Sequence, residues 1–237
     1  MKDQPGADLA SNGFTVIPEI YTAAEIDTIL SVINSVDTNR DTFRKSSDLF
    51  AIRQFLKEVP EVLPLIFNAK LRLTLSQIFR DRYFVVKSIY FDKPETSNWY
   101  VAYHQDLTIS VDKRVNLPGF GPWTAKQNQF AVQPPISILE NIHTVRIHLD
   151  STTKQNGALK VITGSHTKGI YRPETINWSV ENEVICDVPK GGIMIMKPLL
   201  LHGSNRTVNH SRRRVIHIEF TNKQLPDELA WAELINF

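Results

Sequence analysis

The spacing of hydrophobic positions changes along the chain. Gly13-Phe14-Thr15-Val16-Ile17-Pro18 reads as a short strand that ends at the proline. Thr22 then stands where an N-cap belongs, and Glu25, three positions on, completes a capping box. Ile26, Ile29, Leu30 and Ile33 follow at helical spacing. A second helical stretch is predicted near Leu65 to Phe79, with Leu71, Leu75, Ile78 and Phe79 on one side. Residues from about 20 to 80 are therefore expected to be helical. From about Tyr83 the pattern becomes one of short strands. Tyr83 to Phe91 is β-branched and aromatic and stops at Lys93-Pro94, while Val145 to Leu149 alternates strictly. Asn156-Gly157 has the chemistry of a hairpin turn leading into Ala158 to Ile162. Val184 to Val188, Ile193 to Met196 and Val215 to Phe220 complete the set. The intervening stretch from about Val111 to Pro135, rich in Pro, Gly, Gln and aromatics, is expected to be a long loop serving as a lid or binding segment. Helices first and strands afterwards predict an α+β fold. Its β part, about residues 83 to 222, would be a sandwich or barrel such as a jelly roll. No repeat or linker interrupts residues 1–237, so one domain is expected.

Composition narrows the function. The chain has 27 Lys+Arg against 25 Asp+Glu, a net charge of +2, too balanced for gripping nucleic acid by bulk charge. No apolar run approaches the roughly 18 residues of a membrane helix; Ile193 to Met196 is stopped by Lys197 and Pro198. Met1 to Leu9 is polar and without a signal-peptide core. Cys186 is the single cysteine, which rules out an internal disulfide and a cysteine zinc cage and suits a reducing compartment. These features predict a cytoplasmic protein with a small-molecule substrate and no nucleic-acid or membrane partner.

Candidate chemistry lies in the histidines and carboxylates. His104-Gln105-Asp106 is a His-x-Asp, and on a strand positions i and i+2 share a face, so imidazole and carboxylate can converge on one ion. A third histidine from a distant strand would complete the two-His-one-carboxylate triad of non-haem Fe(II). His148-Leu149-Asp150 has the same form: Val145, Ile147 and Leu149 face one way, and Arg146, His148 and Asp150 the other. Local geometry leaves both pairs open, and leaves His143, His166, His202, His210 and His217 as possible third ligands.

Four segments in order resemble the phytanoyl-CoA dioxygenase family of Fe(II)/2-oxoglutarate-dependent oxygenases, which includes ectoine hydroxylase. They are His104-Gln105-Asp106, then Asn156-Gly157-Ala158-Leu159-Lys160-Val161-Ile162-Thr163-Gly164-Ser165-His166, then Pro198-Leu199-Leu200-Leu201-His202-Gly203-Ser204, and Arg213 beyond. The opening Asn12 to Pro18 is also similar to the family's N-terminal strand, so the likeness spans roughly residues 10 to 222.

The resemblance implies a double-stranded β-helix, a cupin-like jelly roll, flanked by N-terminal helices. It implies iron held by His104, Asp106 and His202, with His148-Leu149-Asp150 on the strand entering the turn. It implies 2-oxoglutarate anchored by Arg213, eleven positions after the distal histidine, whose planar fork suits a carboxylate as lysine's ammonium does not. Arg212, Arg213 and Arg214 stand in a row. Ile216, Ile218 and Phe220 share parity with Arg214, and Val215, His217 and Glu219 with Arg213. Ser204, Lys87 and Arg146 match family positions near the same cosubstrate. His166 is read as structural, while Trp123 and Phe130 occupy the segment where substrate enters. The activity implied is oxygenation by O2, most simply hydroxylation of a small molecule with release of succinate and CO2. The carboxylate ligand Asp106 argues against a halogenating relative. A non-catalytic jelly-roll binding protein and a metal cupin enzyme without 2-oxoglutarate are the alternatives.

Overall fold

The computed structural model describes residues 4–37, 42–45, 50–79, 82–95, 100–126 and 129–237. The helices that precede the main strands are α1 (Gln4–Asn12), α2 (Ala23–Asn34), α3 (Phe55–Glu58), α4 (Leu63–Ile66) and α5 (Ala69–Phe79). The strands in chain order are β1 (Phe14–Ile17), β2 (Phe43–Lys45), β3 (Phe50–Arg53), β4 (Phe84–Lys93), β5 (Val101–His104), β6 (Ile109–Val111), β7 (Trp123–Lys126), β8 (Gln129–Val132), β9 (His143–His148), β10 (Leu159–Ile162), β11 (Glu183–Cys186), β12 (Ile193–Met196), β13 (His202–Ser204) and β14 (Arg213–Thr221). They form a large sheet in the order β1-β12-β9-β14-β4-β3-β2, a small sheet β11-β10-β13-β5, and a third sheet β6-β8-β7. The named strands pair antiparallel throughout. This is the double-stranded β-helix with flanking helices.

Local chemistry starts α2 as expected. Thr22 Oγ1 accepts from the Glu25 amide at 3.2 Å, and the Thr22 amide donates to Glu25 Oε2 at 2.8 Å. Ile26, Ile29, Leu30 and Ile33 are buried against the outer face of the large sheet. That face carries Val145, Ile147 and Leu149, and Ile216, Ile218 and Phe220, so strand parity in β9 and β14 is as predicted. Burying each of these aliphatic side chains contributes roughly 1.5–3 kcal/mol. A second apolar cluster, with Val161, Met194, Met196 and Leu200, lies between the two main sheets.

Several expectations change. The predicted helix from Leu65 is two helices, broken at Phe67 and Asn68; Asn68 Oδ1 accepts from the Leu71 amide at 2.8 Å and so caps the start of α5. The N-terminal stretch expected to be helical also holds β2 and β3. Phe50 to Arg53 pair with β4 and extend the large sheet, and Ile52 is fully buried there. A long-range ladder has overridden local pattern. Asn156-Gly157 is not a hairpin turn, because β9 belongs to the large sheet and β10 to the small one; the turn carries the chain between sheets. The stretch from Val111 to Pro135 is not a bare loop, since β7 and β8 pair within it and join β6; residues 127 and 128 lie outside the described residues. Residues after 222 also take part: Trp231 bridges to Val111 and Ile235 to Val85.

Gly157 has φ +81°, and a Cβ there would come within 2.7 Å of the Asn205 carbonyl oxygen, part of the backbone. Gly164 has φ +73°, but its nearest neighbour to a Cβ is Ser11 O at 3.7 Å. Both positions favour glycine, and only one is also crowded. Gly157→Ala should cost about 1–3 kcal/mol and exceed Gly164→Ala, measured by denaturant unfolding. Equal losses would show that crowding at Gly157 is relieved at no cost.

Candidate metal and anion site

β5 and β13 are neighbours in the small sheet, and their register sets His202 opposite His104. The two rings lie 4.3 Å apart between centroids. Asp106 follows two residues after His104, with Oδ1 3.8 Å from His104 Nε2 and Oδ2 3.9 Å from His202 Nε2. One ligand atom from each of the three falls within 4.8 Å of the others, the only such group of three or more among the described residues. Each histidine is aimed by its own strand. His104 Nδ1 donates to Ala102 O at 2.9 Å and His202 Nδ1 to Leu200 O at 2.8 Å. A carbonyl can only accept, so the proton sits on Nδ1 and the Nε2 lone pair is left for a metal.

Electrostatics keep the ligands ready. Burial would raise the Asp106 carboxyl, but His202, His217, Lys87 and His104 together hold it well below the ordinary carboxylate range. Burial pushes the His202 imidazole down to about 4 against the opposing pull of Asp106. Gln105, between two of the candidate ligands, faces the other side of the strand. Its amide nitrogen donates to Leu199 O at 2.6 Å and Gly169 O at 2.9 Å, and its oxygen accepts from the Tyr171 amide at 2.9 Å. The Asp106 amide donates to Pro198 O at 2.9 Å. The Pro198 to Leu201 segment thus binds the first pair of candidate ligands as it delivers the third.

The second His-x-Asp is built differently. His148 is buried with Nδ1 2.7 Å from Thr152 Oγ1, and Asp150 accepts a bidentate pair from Arg214 at 2.8 and 2.6 Å. His143 packs on Phe79 at 4.7 Å between ring centroids, and His166 Nε2 donates to Ala10 O at 3.2 Å. These are structural roles, and His210 is exposed.

The inner face of the large sheet is cationic. Arg213 is turned inward and donates to Gly157 O; among the described residues no carboxylate pairs with it. Burial, with Arg146 adding to it, pushes its guanidinium down to about 9. Its neighbours point the other way, Arg212 to Asp92 and Arg214 to Asp150. Lys93, which pattern reading used only to end a strand, is 2% exposed and lies across from Arg213 in the β4–β14 register. Arg146 is buried; its NH1 donates to His217 Nδ1 at 3.2 Å, so His217 carries its proton on Nε2 and donates to Glu219 Oε1 at 3.1 Å. Lys87 Nζ donates to the same oxygen at 2.8 Å. Burial would raise the Glu219 carboxyl, but Lys87 and His217 lower it on balance. Glu219 has no role in the sequence reading and His217 enters it as one possible third ligand; the signal that relates both to this face is their shared parity with Arg213.

Three buried polar atoms here have no partner among the described residues: Arg146 Nε, His148 Nε2 and Ser204 Oγ. Ser204 is two residues beyond His202 on β13 and is 1% exposed. Arg146 Nε and Ser204 Oγ are unsatisfied donors, and together with a guanidinium that lacks a carboxylate partner they fit an anion. Together with two imidazoles and a carboxylate, this donor set suits Fe(II) and an acidic cosubstrate. Lys87 and Phe130 line a cavity of about 470 Å³, whereas Trp123 packs in the apolar cluster around Val132 and Trp231 and does not line it.

Residues 9–215 match the family described as Phytanoyl-CoA dioxygenase (PhyH). No curated protein sequence matches the chain. Among solved structures the chain is similar to EctD from S. alaskensis with 2-oxoglutarate and 5-hydroxyectoine, at 18% identity and TM-score 0.71, over 93% of this chain and 76% of that one. It is also similar to HygX from Streptomyces hygroscopicus with nickel, 2-oxoglutarate and hygromycin B, at 13% identity and TM-score 0.67, over 100% and 97%. A third is the epimerase SnoN in complex with Fe3+, alpha ketoglutarate and nogalamycin RO, at 12% identity and TM-score 0.69, over 99% and 94%. At these identities the likeness establishes the fold.

Metal-free protein titrated with Mn(II) in a calorimeter should bind about one ion. His104→Ala or His202→Ala should weaken it by more than about 100-fold, beyond the loss typical of an outer partner. His148→Ala should leave it within about threefold, since His148 Nδ1 is committed to Thr152. In ring NMR of the metal-free protein, one histidine should titrate near pH 4 and vanish in His202→Ala.

Proposed function

Because the chain belongs to the phytanoyl-CoA dioxygenase family of non-haem iron- and 2-oxoglutarate-dependent oxygenases, we propose that it hydroxylates a small molecule with release of succinate and CO2. In this reading His104, Asp106 and His202 hold the iron, and Arg213 with Ser204 receives the far carboxylate of 2-oxoglutarate. When bound, iron and 2-oxoglutarate would activate O2, which is the oxidant, with 2-oxoglutarate giving up two electrons as it becomes succinate and CO2, chemistry that a protein side chain lacks. The observation that carries the reading is a half-buried, inward-turned Arg213 without a carboxylate partner among the described residues, on the same inner face as Arg146 and near a His-Asp-His group. A dianion whose chelating end is neutralised by metal still needs a cation for its other end in a desolvated pocket.

The remaining roles follow from the polar chain along the inner face. Arg146 reaches His217, His217 reaches Glu219, and Glu219 holds Lys87. Each member satisfies its neighbour, so the chain keeps Arg146 and Lys87 in fixed positions around the cosubstrate without an acidic group near Arg213 to compete for it. Lys87 acts in this reading as a positive wall felt by Asp106, not as a direct anchor. Gln105 is a positioning residue that holds the first two ligands against the segment bearing the third.

Succinate release should depend on added 2-oxoglutarate, which separates this reading from a binding protein and from a metal enzyme that does not use it. Truncating one partner of a buried charge pair typically costs about 2–5 kcal/mol. Arg213→Ala should therefore raise the apparent KM for 2-oxoglutarate by at least about 30-fold with Mn(II) binding retained. Arg213→Lys should recover part of the loss. Arg212→Ala and Arg214→Ala should change this KM by less than about threefold, because their partners are Asp92 and Asp150. No shift with any of the three would remove the basis for placing the cosubstrate there.

A further inference from the structure

The cavity of about 470 Å³ is lined by residues that follow Asp106 in the chain, by Lys87, whose charge Asp106 feels, and by the chain's C-terminal segment. Thr108 and Ser110, two and four residues beyond Asp106, line it on one side, and Lys87 and Ile89 of β4 on another. Its volume falls in the range of small-molecule sites. Much of its wall is polar, with Gln54, Ser88, Thr124 and Gln129 among the lining groups. A fatty acyl chain placed there would desolvate these groups without replacing their hydrogen bonds, which is unfavourable.

The segment after β14 closes this cavity in a defined position. The Ala230 amide donates to Asp112 Oδ1 at 2.9 Å, Ala232 to Ser110 O at 3.1 Å, and Ile235 to Val85 O at 3.2 Å. Glu233 is held between the last two anchors, is 1% exposed, and lines the cavity. Its Oε1 accepts from Ser88 Oγ at 2.7 Å and its Oε2 from the Ser88 amide. The charged groups nearby are accounted for. Lys87 is held by Glu219, Arg53 and Asp112 carry opposite charges on the same wall, and Lys57 is exposed with its ammonium on Ala232 O. Burial outweighs the help of Ser88 and Lys57 and pushes the Glu233 carboxyl up to about 7.

We propose that this cavity receives the primary substrate and that Glu233 selects one bearing a cationic nitrogen, so that the substrate is a compact polar amine and not an acyl chain. The proposal rests on the oxygenase reading above for the identity of the site, while the charge preference rests on Glu233 alone. A ligand ammonium against Glu233 would give the buried carboxylate an ion-pair partner, which it does not have among the described residues, and would favour its charged form. Bonds from the ligand's other polar atoms to Gln54, Gln129 and Thr124 would complete the fit.

The test uses protein loaded with Mn(II) and 2-oxoglutarate, each binding step first measured by calorimetry. It is then titrated with three probes of similar size, 1,4-diaminobutane, 1,4-butanediol and 1-butanesulfonate. The diamine should bind at least about tenfold more tightly than the diol, equivalent to about 1.4 kcal/mol, and the sulfonate more weakly than either. Glu233→Gln should erase that tenfold preference with an unchanged thermal melt, and Glu233→Asp should keep part of it. A second variant, Ser88→Ala, should leave the preference in place while lowering stability. The idea fails if diamine and diol bind alike, if the sulfonate binds best, or if the preference survives Glu233→Gln. The probes are titrated into metal-free protein as well. Failure of Mn(II) or 2-oxoglutarate to bind would count against the oxygenase reading, while the diamine preference in that protein still decides the role of Glu233.

Discussion

Across the ladder between β5 and β13, His202 lies opposite His104, and everything at the candidate site depends on that register. Side chains alternate with a period of two, so a one-residue slip would turn an imidazole out of the barrel and bring Gly203 or Tyr103 in. The register is held from outside the ladder as well. Gln105 and the Asp106 amide both bond to carbonyls of the Pro198 to Leu201 segment, so the strand with two candidate ligands is tied to the approach of the third. In both histidines the ring bonds to the carbonyl two residues earlier. The same short-range device thus sets both tautomers, and long-range pairing brings the two rings together.

The interior between the main sheets is divided. One part is apolar, with Val161, Met194, Met196 and Leu200. The other holds Lys87, Arg146, His217, Glu219 and Arg213 on the inner face of the large sheet. Inward charges on strands are costly unless paired. Glu219 satisfies Lys87, and His217 satisfies one nitrogen of Arg146. Among the described residues the pairing stops there: Arg213 has a backbone carbonyl and no carboxylate, and Arg146 Nε and Ser204 Oγ have no partner. A sheet that satisfies its charges at one end and leaves cations over at the other is organised to receive an anion. The outer face shows the contrast, where Arg212 and Arg214 each have an aspartate. Three consecutive arginines serve two different surfaces because adjacent strand residues point in opposite directions.

The sequence by itself determined what depends on neighbours within a few residues. The capping box of Thr22 and Glu25, the buried stripe of α2, the bounds of β12 and the two-faced character of β9 and β14 all follow from local spacing, and all are present in the structure. The order of the motifs pointed to the family and, by analogy with it, to His104, Asp106, His202 and Arg213 as a set. Alternation alone, however, is identical in His104-Gln105-Asp106 and His148-Leu149-Asp150. The tertiary structure is what makes them different, setting His202 across from one and Arg214 and Thr152 against the other. It also decided that Phe50 to Arg53 become a strand, that Asn156-Gly157 carries the chain between sheets, and that Glu233 reaches a cavity. Each of these depends on a partner far away in the chain. Periodicity reports which face of an element is buried; what stands opposite that face is set by packing between elements distant in sequence.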